Sequence, residues 1–235
     1  APFEINRYTA ATVWLLLNSI DTYGIMPRQT GKSTTGFQIH NYLIHVGTSN
    51  YNVGFLSKDS PLLQEAISRV KDSRDRLPPY MYFKQFKDGD NKEGLEYTAL
   101  NNKYRTFVAQ PTQLGARKVA RGLSIPFFDW DEIAYSVNND ITYSSAIAGT
   151  ITARQQAYEA GMISAVCLKT TAGDPSTKEG EYAFKIYNEC MPFYEKLYDI
   201  QDRDTLVDIL KTNSNRSMFL VEYNHLQLGY TDEWL

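Results

Sequence analysis

The chain has 235 residues, 43% of them hydrophobic and 22% charged, with a net charge of -3. That composition excludes disorder as the main state and suits one sizeable α/β domain or two small ones. The longest apolar stretch, within residues 10–17, falls far short of the roughly 20 residues that cross a bilayer. It also lacks the basic flank and cleavage site of a signal peptide, so a soluble, non-exported chain with no membrane partner is expected. Cys167, Cys190, His40, His45 and His225 show neither C-x-x-C nor H-x-x-x-H spacing, which argues against a disulfide scaffold or zinc site. Charge is unevenly spread: Lys84 to Arg121 holds eight Lys/Arg against four Asp/Glu, whereas Glu195 to Leu235 holds four against eight. A local basic face is therefore compatible with the acidic total.

In chain order, Thr9 to Ile20 reads as a helix and Tyr23 to Met26 as a short buried strand. A helix is expected from Gly31 to about Ile44, then a buried strand from Tyr51 to Ser57. Ser60 reads as an N-cap with Pro61 at the first helical position, and Leu62, Leu63, Ala66, Ile67 and Val70 share one helical face. Pro78 to Gly122 is Lys- and Gly-rich, with a strand-like piece at Tyr104 to Ala109 and a polar, basic loop from Gln110 to Ser124. Ile125 to Trp130 is a hydrophobic run ending in acids. Asn139 to Ala160 contains a helix that Gly161 ends, Ile163 to Leu168 is a strand ending in Lys169, Thr170 and Thr171, and Glu181 to Met191 is helical until Pro192. Met218 to Tyr223 is the last strand. This alternation predicts a mainly parallel sheet with helices on both faces. The start at Ala1, and a final Thr231-Asp232-Glu233-Trp234-Leu235 that reads as a first helical turn, lead us to expect a piece of a longer chain.

Met26-Pro27-Arg28-Gln29-Thr30-Gly31-Lys32-Ser33-Thr34 carries the sharpest chemistry. A phosphate-binding loop needs converging backbone N–H groups, a Gly where the loop tightens, a Lys for the β and γ phosphates and a hydroxyl for Mg²⁺ at a helix start. Gly31, Lys32 and Ser33 supply these between an expected strand and helix, although Met26 stands where the motif has its first Gly. The second signal, Phe127-Phe128-Asp129-Trp130-Asp131-Glu132, places acids at a strand end, with Asp131 lying 99 residues after Lys32 (131 minus 32). A chain that turns there lets one acid hold Mg²⁺ and the next polarise water. Asp129 is an alternative metal ligand. A chance G-K-S and a solvated acidic turn are the plain alternatives.

Together these motifs resemble the ATPase domain of the large terminase subunit, the DNA-packaging motor of tailed bacteriophages. The resemblance rests on the Arg within Pro27-Arg28-Gln29-Thr30-Gly31-Lys32-Ser33-Thr34, on Ala120-Arg121-Gly122, on the acids, and on Lys169-Thr170-Thr171-Ala172. It runs in order from about Tyr8 to Pro175. It implies a RecA-like P-loop core of the class with an additional catalytic glutamate (1–174), a small mostly helical lid (175–217), and a strand returning to the core before a truncated linker or helix (218–235). It further implies that Gln29, Thr30, Gly31, Lys32, Ser33 and Thr34 bind ATP, Ser33 and Asp131 hold Mg²⁺, and Glu132 is catalytic. Arg28 stabilises charge, or is a solvated loop residue. Arg121 is a finger for a neighbouring subunit's ATP, or contacts DNA, or pairs with a carboxylate. Thr170 and Thr171 couple hydrolysis to movement, or simply end a strand. Tyr8 stacks on adenine, or is an exposed helix-start residue; Thr9 stands where the family has Gln, and Ala172 where it often has Pro.

The implied function is ATP hydrolysis that translocates double-stranded DNA into a viral procapsid in the cytoplasm of an infected bacterial host. The implied partners are the portal protein, the small terminase subunit and other copies in a ring, the isolated chain being a monomer. A helicase-like translocase and a nucleotide switch without turnover are the rivals. With only twelve residues after Tyr223 (235 minus 223), this chain is expected to lack the family's nuclease and to leave DNA uncut.

Overall fold

The computed structural model describes residues 4–81 and 85–234; Lys84 of the basic stretch and Leu235 of the expected C-terminal turn lie outside them. Eight strands form one sheet in the order β3-β4-β2-β5-β6-β1-β8-β7. They are β1 (Thr22–Ile25), β2 (Asn52–Ser57), β3 (Gly94–Tyr97), β4 (Asn102–Val108), β5 (Phe127–Asp131), β6 (Ala165–Thr170), β7 (Met191–Pro192) and β8 (Phe219–Glu222). Every pairing is parallel except the edge pair β3·β4. Five of the six inner strands, β2, β5, β6, β1 and β8, are fully or mostly buried, as a sheet covered on both faces requires.

Strand alternation sorts the side chains. On β5, Phe127 packs with α2 (Lys32–Tyr42) and α3 (Ser60–Arg74), while Phe128 and Trp130 pack on the other face with α5 (Asn139–Glu159) and α6 (Lys178–Glu189). On β6, Ala165 and Cys167 face the first layer, and Val166 and Leu168 the second. A third cluster joins α1 (Arg7–Leu17) to α7 (Arg203–Asn213) over β8, through Tyr8, Leu15, Leu206, Leu210 and Phe219.

Residues 175–217 supply α6, the two-residue strand β7 and α7, and their apolar faces enter the second and third clusters. The strand expected at the C-terminal end is β8, hydrogen-bonded beside β1. Several local expectations need correction. Asp59, rather than Ser60, caps α3, accepting from the Leu62 N–H at 3.0 Å. The second helix stops at Tyr42 and continues as a π-helical turn, Leu43–Gly47. Part of the basic loop is the short helix α4 (Gln113–Ala116), capped by Thr112. The C-terminal turn is a 3₁₀ turn, Asp232–Trp234. Among the described residues no helix is long and apolar enough to cross a membrane.

Candidate active site

Parallel strands present their C-terminal ends at one edge, where open α/β sheets bind ligands. The loop after β1 and the turn after β5 meet there in a cleft of about 390 Å³, lined by Arg28, Gln29, Gly31, Lys32, Ser33 and Thr34 opposite Asp131, Glu132 and Thr171. The loop is held locally: the Thr30 hydroxyl donates to the Pro27 carbonyl at 2.8 Å, and Gln29 (φ 61°) and Gly31 (φ 87°) are left-handed. Gly31 accommodates this conformation without a Cβ, whereas Gln29 carries a local strain. Asn6, the N-cap of α1, reaches across to donate to the Thr30 carbonyl at 3.0 Å. The loop thus leans on the first helix.

Four of the expected residues are paired with one another. The Lys32 ammonium donates to Glu132 Oε1 at 2.7 Å and lies 3.8 Å from Asp131 Oδ1, while the Ser33 hydroxyl donates to Asp131 Oδ2 at 2.7 Å. Both acids can face the cleft because Glu132 leaves the strand in left-handed conformation, φ 58° and ψ 47°, before a 3₁₀ turn. Glu132 Oε2 accepts from the Thr171 N–H and hydroxyl, each at 3.3 Å, and lies 3.4 Å from Thr170 Oγ1. Burial pushes the Glu132 pKa up, but the Lys32 charge and hydrogen bond and the two Thr171 hydrogen bonds outweigh it, leaving the carboxyl below its ordinary value.

Other expected residues lie elsewhere. Tyr8 is 0% exposed, in the core beneath α1, and does not line the cleft. This corrects its placement against adenine: residues 8, 11 and 15 form the inward face of the helix. The Thr9 hydroxyl, meanwhile, is 3.1 Å from that of Thr35 in α2. Arg121 is exposed on the turn after α4, between left-handed Ala120 and Gly122. It lines a different depression with Arg117, Asp140 and Tyr182, so the cleft and Arg121 are not brought together within one chain.

Asp129 is excluded as a metal ligand because it is 0% exposed and turned toward α2. Its Oδ2 accepts from the Lys169 ammonium at 2.7 Å and lies 2.8 Å from His40 Nε2, while the Tyr104 hydroxyl is 3.2 Å from His40 Nδ1. Burial lowers the Lys169 pKa, and the attraction of Asp129 and Asp131 more than reverses that. His40 goes the other way, burial holding it below the ordinary histidine value despite Asp129. The His40 ring thus sits between the Tyr104 hydroxyl and the Asp129 carboxylate. Sequence reasoning missed this network because Lys169 read as a strand end and its partners lie in distant segments of the chain. Lys58 and Arg69 also line the cleft and were not anticipated.

Nineteen solved chains match this one in fold. Among the most similar, the large terminase ATPase domain of Thermus phage P74-26 has a TM-score of 0.60 at 12% identity, covering 94% of this chain and 81% of that one. The HK97 bacteriophage large terminase gives 0.56 at 11% identity over 95% of this chain. A thermophilic bacteriophage large terminase in complex with ADP gives 0.57 at 11% identity over 98%. The chain spans 40% and 48% of the length of the latter two proteins. No family profile and no curated protein matches it. What these likenesses establish is architecture: the chain has the α/β, RecA-like fold of large terminase ATPase domains, over nearly its whole length.

Proposed function

We propose that this chain is a Mg²⁺-dependent ATPase and the motor domain of a large terminase, driving double-stranded DNA into a viral procapsid. The observation that carries the reading is the meeting of Lys32, Ser33, Asp131 and Glu132 in one cleft, with Thr171 bonded to Glu132. The residues present fit Mg²⁺. Ser33 and Asp131 offer oxygen donors already 2.7 Å apart, and Asp131 Oδ1 is buried without a hydrogen-bond partner. When bound there, Mg²⁺ neutralises phosphate charge.

On this reading Lys32 exchanges Glu132 for the β and γ phosphates, and the N–H groups at the start of α2 hold the same oxygens. Glu132, released from Lys32, orients water for in-line attack, its carboxylate aimed by Thr171. On the same reading Thr170, the last residue of β6, and Thr171, which follows it, relay the change in that contact into β6. Arg121 serves a neighbouring subunit in a ring, where a guanidinium at the γ phosphate is worth roughly 10³ to 10⁵ in turnover. Portal protein, small terminase subunit and the cytoplasm of an infected bacterium complete the proposal. The test separates two roles. Lys32→Ala abolishes tight binding of a fluorescent ATP analogue, whereas Glu132→Gln retains binding and stops phosphate release. Equal loss of affinity in both variants overturns the assignment of Glu132, and no loss in either overturns the nucleotide site.

A further inference from the structure

Lys58 has no part in the sequence motifs, yet the strand order places it beside the expected chemistry. On β2 and β5, Leu56 pairs with Trp130; on β5 and β6, Asp131 pairs with Lys169. Lys58 is the first residue after β2 and Glu132 the first after β5, and both line the cleft at neighbouring strand ends, beside Thr170 at the end of β6. Thr170 in turn pairs with Ile25, immediately before the phosphate loop. Three adjacent strand ends therefore carry Lys58, Glu132 and Thr170 in a row, with Lys58 on the side of Glu132 away from the loop.

Lys58 has no carboxylate at ion-pairing distance among the described residues. Of the other cations lining the cleft, Arg28 likewise has no ion pair among the described residues, whereas Lys32 and Arg69 are each committed to a carboxylate. Lys32 is bonded to Glu132 at 2.7 Å and Arg69 to Glu65 at 2.5 Å. The Lys58 ammonium instead lies over the Tyr135 ring, 5.5 Å from the centroid. Tyr135 is itself fixed by a 2.6 Å hydrogen bond to the carbonyl of Ala172, next to Thr171. The half-buried ammonium is thus held at the cleft rim with its charge unspent. If the phosphate loop grips the β phosphate, the γ phosphate projects past Lys32 toward Glu132, and the far side of Glu132 is where its outer oxygens lie.

We propose that Lys58 is an in-chain ligand of the terminal phosphate, contacting the γ phosphate of the bound nucleotide and the inorganic phosphate it becomes. The inference rests on the cleft being the nucleotide site. It predicts a contact made by a nucleoside triphosphate and not by a diphosphate. The test titrates Lys58→Ala, Lys58→Arg and Lys32→Ala chains, each with Mg²⁺, against ADP and ATPγS, and separately against duplex DNA. Lys58→Ala should weaken ATPγS about tenfold, the scale of one lost charge-assisted hydrogen bond, and leave ADP within about twofold. Lys58→Arg should restore most of the loss, since the cation is retained. Lys32→Ala should weaken both nucleotides. If Lys32→Ala weakens both while Lys58→Ala alters neither, or alters both equally, the assignment of Lys58 is overturned and the nucleotide site stands. If Lys32→Ala alters neither, the nucleotide site itself is overturned. Loss of DNA affinity in Lys58→Ala with ATPγS affinity intact makes it a DNA contact and also overturns the proposal.

Discussion

Replacing Lys169 by Met keeps the length of the side chain and removes its charge, leaving Asp129 buried with only His40 near it. Both Lys169 and Asp129 have side chains 1% exposed, so solvent cannot take over the lost interaction. Removing one partner of a buried ion pair costs about 3–5 kcal/mol. The ammonium also lies 5.9 Å from the Phe37 and Phe55 ring centroids, and losing those contacts adds about 0.5–2 kcal/mol. Against a total stability of about 5–15 kcal/mol, the variant should fold but melt early. In urea, with a slope of about 3 kcal/mol/M, the midpoint should fall by about 1 M or more.

The pH dependence identifies the cause. In the wild type, burial raises the Asp129 pKa but Lys169 and His40 pull it below the usual carboxylate range. The group therefore contributes stability above its unfolded pKa of about 3.9, lost as pH falls through the folded value. In Lys169→Met burial wins and the native state takes up a proton, on Asp129 or on His40. The folded pKa then lies above the unfolded one, so the variant loses stability as pH rises through that raised value. The gap between wild type and variant should be wide at pH 8 and narrow toward pH 5. Asp129→Asn combined with Lys169→Met should recover part of the loss at pH 8. A midpoint shift below about 0.3 M that is the same at both pH values would refute the argument.

Gly36→Ala should destabilise by about 1–3 kcal/mol although Ala is the better helix former by about 1 kcal/mol. The added Cβ would sit 2.8 Å from Asp129 Oδ2, and closer still to the Lys169 ammonium; a raised melting temperature would show that α2 can back away. Tyr8→Ala should cost about 3–5 kcal/mol as a core deletion, whereas Tyr8→Leu, which keeps apolar bulk and removes the aromatic face, should leave ATPγS affinity within about twofold, and a tenfold loss in Tyr8→Leu would return Tyr8 to the nucleotide. Arg121→Ala should leave ATPγS affinity of the isolated chain unchanged, because Arg121 lines a different depression from Lys32 and Glu132. A clear loss in the monomer would place it in its own chain's site.

The sheet's parallel core was legible because β2, β5 and β6 are short apolar runs between helical patterns, and the loop before α2 stood out because a glycine, a lysine and a hydroxyl gather at a helix start. The edge strand β3 was not. Gly94-Leu95-Glu96-Tyr97 has two inward residues and a glycine, and its strand character comes from pairing with β4. Asp59 and Ser60 are both good caps, and only the backbone turn decides between them. The burial of Tyr8 was available in the spacing of Tyr8, Ala11 and Leu15, but an aromatic ahead of a phosphate loop invites a ligand reading. The Asp129, Lys169 and His40 network depends on three segments distant in the chain, so no local pattern could announce it. Lys58 escaped for the same reason, its neighbour Glu132 being set by strand order.

The pairing of Lys32 with Glu132, and of Ser33 with Asp131, makes the cleft its own competitor. Any anion that enters must draw the lysine away from a carboxylate already within hydrogen-bonding distance, so measured affinity is the difference between two attractions. Glu132→Gln removes the stronger internal rival and leaves the lysine waiting. A variant that hydrolyses nothing should therefore hold nucleotide more tightly than the wild type does, and should do so most clearly at low salt.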